Sequence, residues 1–301
     1  MTIAIKTALR FLALALVYFV CFVVVSGALL STSTQQPSTA EAATILLALL
    51  TVSLIHAAVW TYVILRSSWS GWSLVLTVFL VLFGVSTLMP QIETAYFVSR
   101  LPPRMLPRLF SAGLIIAAVF APLAVLILGK IRSPTREARN DSRWSTNLAA
   151  WIVRLSLIVV AYLIIYFTFG YFIAWKSEAV RSYYGGNDPG SFIAQLRNVA
   201  GSEPLLFLLQ ILRAALWAAI AIPVIRMMKG KWWEAGLAVA LLFAMTSSQL
   251  LIPNPLMPPE VRMAHLVETV TSNFLFGWLV VLILRDLIRR ADGASGMHTR
   301  L

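Results

Sequence analysis

The sequence predicts an all-α fold, a polytopic membrane bundle of about eight transmembrane helices built as two parallel four-helix repeats. Of its 301 residues, 59% are hydrophobic and only 12% are charged, whereas soluble domains carry about 25% charged residues. The apolar residues form runs long enough to cross a bilayer, which takes about 20 residues per helix. The second half of the chain also repeats short stretches of the first half in the same order. A soluble globular protein is therefore excluded.

Charged or Pro/Gly-rich breaks separate eight apolar segments. Each segment is predicted to be a helix, because transmembrane strands would give alternating runs of about 10 residues and no such runs occur. We number the segments 1 to 8 in chain order: 11–30, 43–65, 72–89, 109–128, 149–175, 204–225, 235–252 and 263–284.

Segment 1 has some features of a cleaved signal peptide. Lys6 and Arg10 precede it, and Ser26-Gly27-Ala28 has the small residues of a cleavage site. Its apolar run of about 20 residues is longer than the 7–15 residues of a signal sequence, and the segment has a counterpart later in the chain. We therefore expect it to remain as the first membrane helix.

Basic residues between the segments indicate the orientation. Most of the 24 Lys and Arg lie in connections on one side of the bundle, and the positive-inside rule assigns that side to the cytoplasm. Both termini are then cytoplasmic in a protein of the plasma (inner) membrane. The net charge of +12 indicates anionic lipids at the cytoplasmic face as partners, and no nucleic acid. The single cysteine, Cys21, has no partner for an intrachain disulfide.

Segments 5 to 8 match segments 1 to 4 at several positions. The match predicts a first repeat at 1–130, a basic cytoplasmic linker at 131–147, a second repeat at 148–290 and a polar tail at 291–301. An even number of helices per repeat makes the two repeats parallel. The matched positions are Arg10 and Arg154, Tyr18 and Tyr162, His56 and Arg213, Trp60 and Trp217, Pro102-Pro103 and Pro258-Pro259, and the ends of segments 4 and 8, which both read Val-Leu-Ile-Leu.

The longest connection, residues 176–203, lies on the outer side. It carries Tyr183-Tyr184 immediately before a Gly-rich turn. The sequence predicts a surface loop with aromatic anchors, or a lid over an outward-facing cavity.

Segment 8 carries polar residues at steps that place them along one side of a helix. Such a stripe is expected to face protein or water, because burying an ionisable group in lipid costs at least about 2.5–3.5 kcal/mol. With Glu93, which lies beyond Pro90 at the outer end of segment 3, and Gln249 on segment 7, it predicts an outward-opening polar pocket. The stripe comprises Arg262, His265, Glu268, Thr269, Ser272 and Asn273.

Two further ionisable residues, His56 and Arg213, lie near the middle of segments 2 and 6. A guanidinium at that depth needs a carboxylate or several carbonyl groups around it. We expect Glu268 to be the partner of Arg213, with Glu93 as the second candidate. The alternative is a static polar brace between helices.

Metal binding is a further possibility, with His265, Glu268 and Glu93 as candidate ligands. His265 and Glu268 share a helix face, but the order reverses the Glu-x-x-His pattern of helical carboxylate sites, and no His-Glu-x-x-His motif occurs. No particular cofactor is indicated.

The sequence favours a solute or ion transporter in which Glu268 and His265 exchange protons. The first alternative is a membrane-embedded enzyme that acts on a lipid-linked or periplasmic substrate, with Glu268 or His265 as general base and Arg262 or Arg213 as the stabiliser of negative charge. The second alternative is a non-catalytic subunit, assembly factor or sensor. The substrate, coupling ion, partner subunits and oligomeric state are not specified, and no nucleophile-elbow sequence occurs around Ser272.

Overall fold

The computed structural model describes residues 3–30, 38–98, 101–132, 147–254 and 256–293. Regular structure in these ranges is entirely helical. The helices are α1 (Ile3–Leu30), α2 (Thr39–Arg66), α3 (Gly71–Phe83), α4 (Met89–Phe97), α5 (Met105–Ile127), α6 (Leu148–Phe169), α7 (Glu178–Tyr184), α8 (Phe192–Ser202), α9 (Pro204–Met227), α10 (Trp232–Met245) and α11 (Pro259–Gly293). Most of the predicted linker 131–147 and of the predicted tail 291–301 lies outside the described residues.

Eight stretches of the described chain are long and apolar enough to cross a membrane, which confirms the predicted number of spans. They are α1, α2, α3 with α4, α5, α6 with the turn that follows it, α9, α10 with the turn that follows it, and the part of α11 up to Arg285. The protein is therefore a multi-pass membrane protein.

Three of these spans contain a change of helix type. A π-helical turn, Gly84–Leu88, joins α3 to α4, a second one, Gly170–Ala174, follows α6, and a 3₁₀ turn, Thr246–Leu251, follows α10. The third span continues to Phe97, beyond the predicted end of segment 3. The span continues through Pro90, which lies just after the π turn and has no N–H to donate to that turn.

The connection 176–203 is more ordered than its turn-rich sequence suggested, because α7 and α8 lie within it. The Ser177 side chain accepts a hydrogen bond from the Val180 amide at the start of α7. Ser191 does the same for α8 through Ala194. Gly185 ends α7 with φ of 72°, a left-handed conformation that glycine adopts without strain.

The described chain forms two compact units. The first comprises residues 3–30, 38–98 and 101–132 with 227–229 and 251–253, and the second comprises 147–226, 230–250, 254 and 256–293.

In the first unit, α1 packs against α2 and α5, and α3 packs against α5. Leu14, Trp60 and Phe120 are fully buried between these helices. Gly113 lies so close to the π turn that a Cβ atom would come within 1.9 Å of Thr87 Oγ1. Small residues at helix contacts permit this close approach, which drives helix association in lipid.

In the second unit, α11 packs against α6, α7 and α10. Gly277 of α11 lies against the backbone of Ala240, and a Cβ atom there would come within 2.6 Å of the Ala240 Cα. Gly236 of α10 lies against the ring of Trp278. The same small-residue packing therefore holds α10 and α11 together and fixes the rotation of α11.

Candidate functional site

The apolar and polar faces of α11 are separate. Met263, Val267 and Leu275 are largely exposed on the outside of the molecule, whereas Val261 and Phe276 are buried. The side chains of His265 and Glu268 are only 19% and 12% exposed. The helix thus turns its imidazole and carboxylate toward the protein, while part of its apolar surface is exposed.

His265 and Glu268 are in direct contact. The imidazole Nδ1 lies 2.8 Å from Glu268 Oε2, a contact that the i,i+3 spacing on one helix permits. With the carboxylate ionised, Nδ1 is the donor, and this fixes the neutral imidazole in the tautomer whose Nε2 is an acceptor.

A third group, Tyr184 at the end of α7, completes the site. Its hydroxyl lies 3.3 Å from His265 Nε2, and its ring meets the imidazole edge-on with centroids 5.8 Å apart. Tyr184, His265 and Glu268 therefore form a continuous hydrogen-bonded chain, which we call the Tyr–His–Glu chain. The second membrane unit contributes all three residues.

Gly170 lies next to the carboxylate. It opens the π turn after α6, and a Cβ atom on it would lie 3.5 Å from Glu268 Oε1. The π turn packs against α11. Single π turns inside helices occur frequently at functional sites. Here the turn places a residue without a side chain, Gly170, next to the Glu268 carboxylate.

The remaining polar residues of α11 have more local roles. Arg262 is buried, and its Nη1 donates to the Leu250 carbonyl at 2.9 Å, so it fastens α11 to the 3₁₀ turn. Thr269 Oγ1 donates to the His265 carbonyl at 2.6 Å. Ser272 Oγ donates to the Thr269 carbonyl at 3.4 Å. Asn273 is partly exposed.

Gln249 and Glu93 are both partly exposed. Gln249 belongs to the 3₁₀ turn of the second unit, and Glu93 belongs to α4 of the first unit. Their part in a shared pocket with α11 stays a prediction. Among the described residues, no three His, Cys, Asp or Glu side chains are grouped closely enough to hold a metal ion.

His56 is fully buried in the first unit. Its ring stacks on Tyr18 with centroids 4.2 Å apart, and its Nε2 lies 3.4 Å from the Tyr18 hydroxyl. Tyr18 in turn meets Phe120 edge-on at 5.3 Å. The polar residue of segment 2 is thus held by an aromatic side chain of segment 1.

Arg213 has a corresponding environment in the second unit. Its guanidinium lies 5.8 Å from the centroid of the Tyr162 ring, and Tyr162 packs on Phe276 at 4.8 Å. Arg213 Nη1 also donates to Gln210 Oε1 at 2.9 Å. The described partner of Glu268 is His265, so an ion pair between Arg213 and Glu268 stays a prediction.

The first helix of each unit also carries an arginine that donates to a backbone carbonyl of, or directly after, the last helix of that unit. Arg10 Nη1 donates to the Leu128 carbonyl at 3.5 Å, and Arg154 Nη1 donates to the Ile283 carbonyl. Arg10 thus lies at the C-terminal end of α5, where a cation meets both unsatisfied carbonyl groups and the negative end of the helix dipole. Ile283 lies inside α11, which continues to Gly293, so Arg154 contacts the middle of a helix.

Sequence reasoning missed the roles of Tyr184, Gly170 and Gln210. Tyr184 had a signal in the Tyr pair before the Gly-rich turn, which suggested a lid but no contact with His265. Gly170 had only the signal of a lone glycine in an apolar span, and Gln210 that of a polar residue one turn before Arg213.

Comparison of the chain with protein-family models, with curated protein sequences and with solved structures gives no match. The class that the fold defines is therefore a multi-pass helical membrane protein, and function rests on the geometry above.

Proposed function

We propose that this protein is a solute or ion transporter of the plasma (inner) membrane with cytoplasmic termini, in which proton exchange at His265 and Glu268 is linked to movement of an outer gate. The observation that carries the proposal is the Tyr–His–Glu chain, which connects an ionisable pair inside a membrane helix to a helix outside the membrane. Ionisable residues within membrane helices commonly belong to proton or substrate pathways.

The Tyr–His–Glu chain explains how protonation of His265 can move α7. In the neutral imidazole, Nε2 accepts a hydrogen bond from the Tyr184 hydroxyl while Nδ1 donates to Glu268. Protonation turns Nε2 into a donor, so the Tyr184 hydroxyl must rotate to accept. Tyr184 lies at the end of α7, and α7 packs on α11. A proton on His265 thereby changes the contact that holds the outer helix.

The matched contacts in the two units support a duplicated architecture. Tyr18 with His56 and Tyr162 with Arg213 occupy positions that the sequence match pairs, and both tyrosines pack on a phenylalanine. We propose that the two four-helix repeats are parallel, related by an axis along the membrane normal, and that transport occurs by rocking of one repeat against the other.

The outward-facing pocket completes the proposal. We propose that Arg262, Ser272 and Asn273 of α11 line it together with Gln249 of the 3₁₀ turn, which belongs to the same unit. A substrate that enters this pocket would contact the Tyr–His–Glu chain, which links its binding to the proposed proton exchange.

Proton flux in closed vesicles tests the proposal. The purified protein is reconstituted into liposomes that contain a pH-sensitive dye, and a panel of solutes is added outside. We expect at least one solute to drive proton movement. Glu268→Gln should abolish this flux while the variant remains folded, because an amide cannot exchange a proton at that position. Glu260→Gln removes an exposed carboxylate of the same helix and should transport normally. A Glu268→Gln variant with full flux would remove the proton-linked role.

A membrane-embedded enzyme is the second candidate, because the Tyr–His–Glu chain also has the geometry of an oriented general base. Glu268 fixes the imidazole tautomer, and His265 Nε2 is placed to take the Tyr184 proton. The two functions differ in what they require. An enzyme turns over lipid-linked substrate in detergent micelles, whereas transport needs a closed vesicle and a gradient.

A further inference from the structure

The basic end of the first unit brings together chain segments that are far apart in sequence. The connection after α9 runs along the end of α2, where Ser68 N donates to the Met227 carbonyl at 2.6 Å. Lys229 N donates to the Arg66 carbonyl at 2.9 Å, and Ser67 and Met228 form a short antiparallel bridge. Backbone hydrogen bonds therefore fix the position of Lys229.

The turn after α5 is fixed at the same place. Lys130 Nζ donates to the Ser67 carbonyl at 2.8 Å, and Gly71 N donates to the Lys130 carbonyl at 2.9 Å. The side chain of Lys130 is partly buried, and that of Lys229 reaches it. Burial first, and then the positive charge of Lys229, lower the pKa of Lys130 to about 8. Two ammonium groups are therefore held side by side.

A guanidinium borders the same turn. Gly129 has φ of 76° and lies against Arg10, so that a Cβ atom there would be 3.2 Å from Arg10 Nη2. Arg10 Nη1 faces the Leu128 carbonyl. Arg10 and Lys130 thus flank the end of α5, which reaches Ile127.

Like charges this close repel one another, and an anion between them converts the repulsion into attraction. Lysine ammonium groups and arginine guanidinium groups are the usual binders of phosphate oxygens. Basic pockets between membrane helices at the cytoplasmic side bind phospholipid headgroups. The turn begins where the apolar span ends, which is the depth at which headgroup phosphates lie.

We propose that Lys130 and Lys229, with Arg10, bind the phosphate of an anionic phospholipid headgroup at this end of the first unit. The site is independent of the transport proposal, because it shares no residue with the Tyr–His–Glu chain. The bound lipid neutralises the lysine pair and ties the end of α5 to the ends of α1 and α2.

Amine labelling of the unmodified protein tests the site without any substitution. Reductive methylation at about pH 7, which is below the pKa of Lys130, is read by mass spectrometry and compared between nanodiscs of phosphatidylcholine and nanodiscs that also contain phosphatidylglycerol. A bound anion favours the protonated amine, and each unit of pKa rise lowers the neutral, reactive fraction about tenfold. We expect Lys130 labelling to fall about tenfold or more in the anionic discs, against about fivefold or less at the exposed Lys6 and Lys231, where only the general surface potential acts.

A second experiment distinguishes a lipid headgroup from free phosphate as the bound anion. Millimolar inorganic phosphate added to phosphatidylcholine discs should leave Lys130 labelling unchanged. Equal protection by inorganic phosphate would assign the site to a free anion and overturn the lipid proposal. Equal protection of Lys6, Lys130 and Lys231 by phosphatidylglycerol would overturn the site itself.

Lipid retention in native mass spectrometry provides an independent readout. The double variant Lys130→Gln with Lys229→Gln should lose at least one retained phosphatidylglycerol molecule. The control, Lys6→Gln with Lys231→Gln, removes the same charge and should retain it. Equal retention by the two double variants would contradict the proposal.

Discussion

The hydroxyl of Tyr184 lies 3.3 Å from Nε2 of His265, while that of the preceding residue, Tyr183, donates to the Leu256 carbonyl at 2.7 Å. Two adjacent tyrosines of α7 thus have different partners, one an ionisable side chain and the other a backbone carbonyl. This difference gives a matched pair of substitutions.

Tyr184→Phe should impair function more than stability. It removes the hydrogen bond to His265 Nε2, and a loss of about 1.4 kcal/mol in the coupled state corresponds to about a tenfold fall in proton flux. Tyr183→Phe should lower the free energy of unfolding by about 1 kcal/mol and leave the flux intact. The checks are vesicle flux and thermal unfolding in detergent, and equal flux in the two variants would argue against the Tyr–His–Glu chain.

Gly277→Ala should destabilise the second unit. A Cβ atom at Gly277 would come within 2.6 Å of the Ala240 Cα and 2.8 Å of its amide nitrogen, and backbone atoms cannot rotate away. Separation of α10 and α11 to relieve this overlap costs about 1–3 kcal/mol. Gly27→Ala is the control, because no atom beyond the adjoining backbone of α1 lies within 4 Å of the added Cβ. Unchanged thermal unfolding of Gly277→Ala would disprove the close packing.

The lowered pKa of Lys130, about 8, has a consequence for stability against pH. Burial and the neighbouring Lys229 favour the neutral amine in the folded state, whereas the unfolded chain keeps the proton up to the ordinary value of about 10.4. The unfolded state therefore binds more protons between these values, and the contribution of this group to stability rises with pH from about 8 upward.

Lys130→Gln should flatten that rise. The measurement is unfolding in zwitterionic detergent at several pH values from about 7 to about 10.5, where anionic lipid cannot mask the lysine pair. Lys6→Gln removes an exposed charge at the same end of α1 and should keep the slope of the unmodified protein. Parallel curves for Lys130→Gln and the unmodified protein would show that Lys130 titrates normally.

The sequence sufficed for the number of spans and for placing His265 and Glu268 on one helix face, although it assigned Arg213 and not His265 as the partner of Glu268. Hydropathy is a property of each segment alone, and the i,i+3 spacing brings two side chains together on any helix. It did not reveal α7 and α8, because short capped helices outside the membrane depend on packing more than on composition. The contact of Tyr184 with His265 joins distant positions, which local periodicity does not report.

The π turns were also beyond prediction. The Gly84–Leu88 and Gly170–Ala174 turns lie within apolar runs that resemble ordinary helix, and a change of hydrogen-bond register leaves no mark on hydropathy. The stacking of Tyr18 on His56 depends on how α1 packs against α2. The repeat match paired Tyr18 with Tyr162 and His56 with Arg213, yet it did not indicate that each tyrosine contacts its polar neighbour.

The last test asks whether Arg213 and Glu268 form an ion pair. Arg213 already contacts Gln210, and Glu268 already contacts His265. If the two also compensate each other's charge, Arg213→Leu should cost about 3–5 kcal/mol by leaving a carboxylate uncompensated inside the bundle. Adding Glu268→Leu should then recover folding, measured as yield and thermal unfolding. Arg213→Leu with Glu260→Leu is the control, since Glu260 is exposed at the start of α11, and it should recover nothing. If the double variant at Arg213 and Glu268 folds no better than Arg213→Leu, the two residues do not compensate each other's charge. The guanidinium of Arg213 is then stabilised by Gln210 and the Tyr162 ring, and the carboxylate of Glu268 by His265 alone.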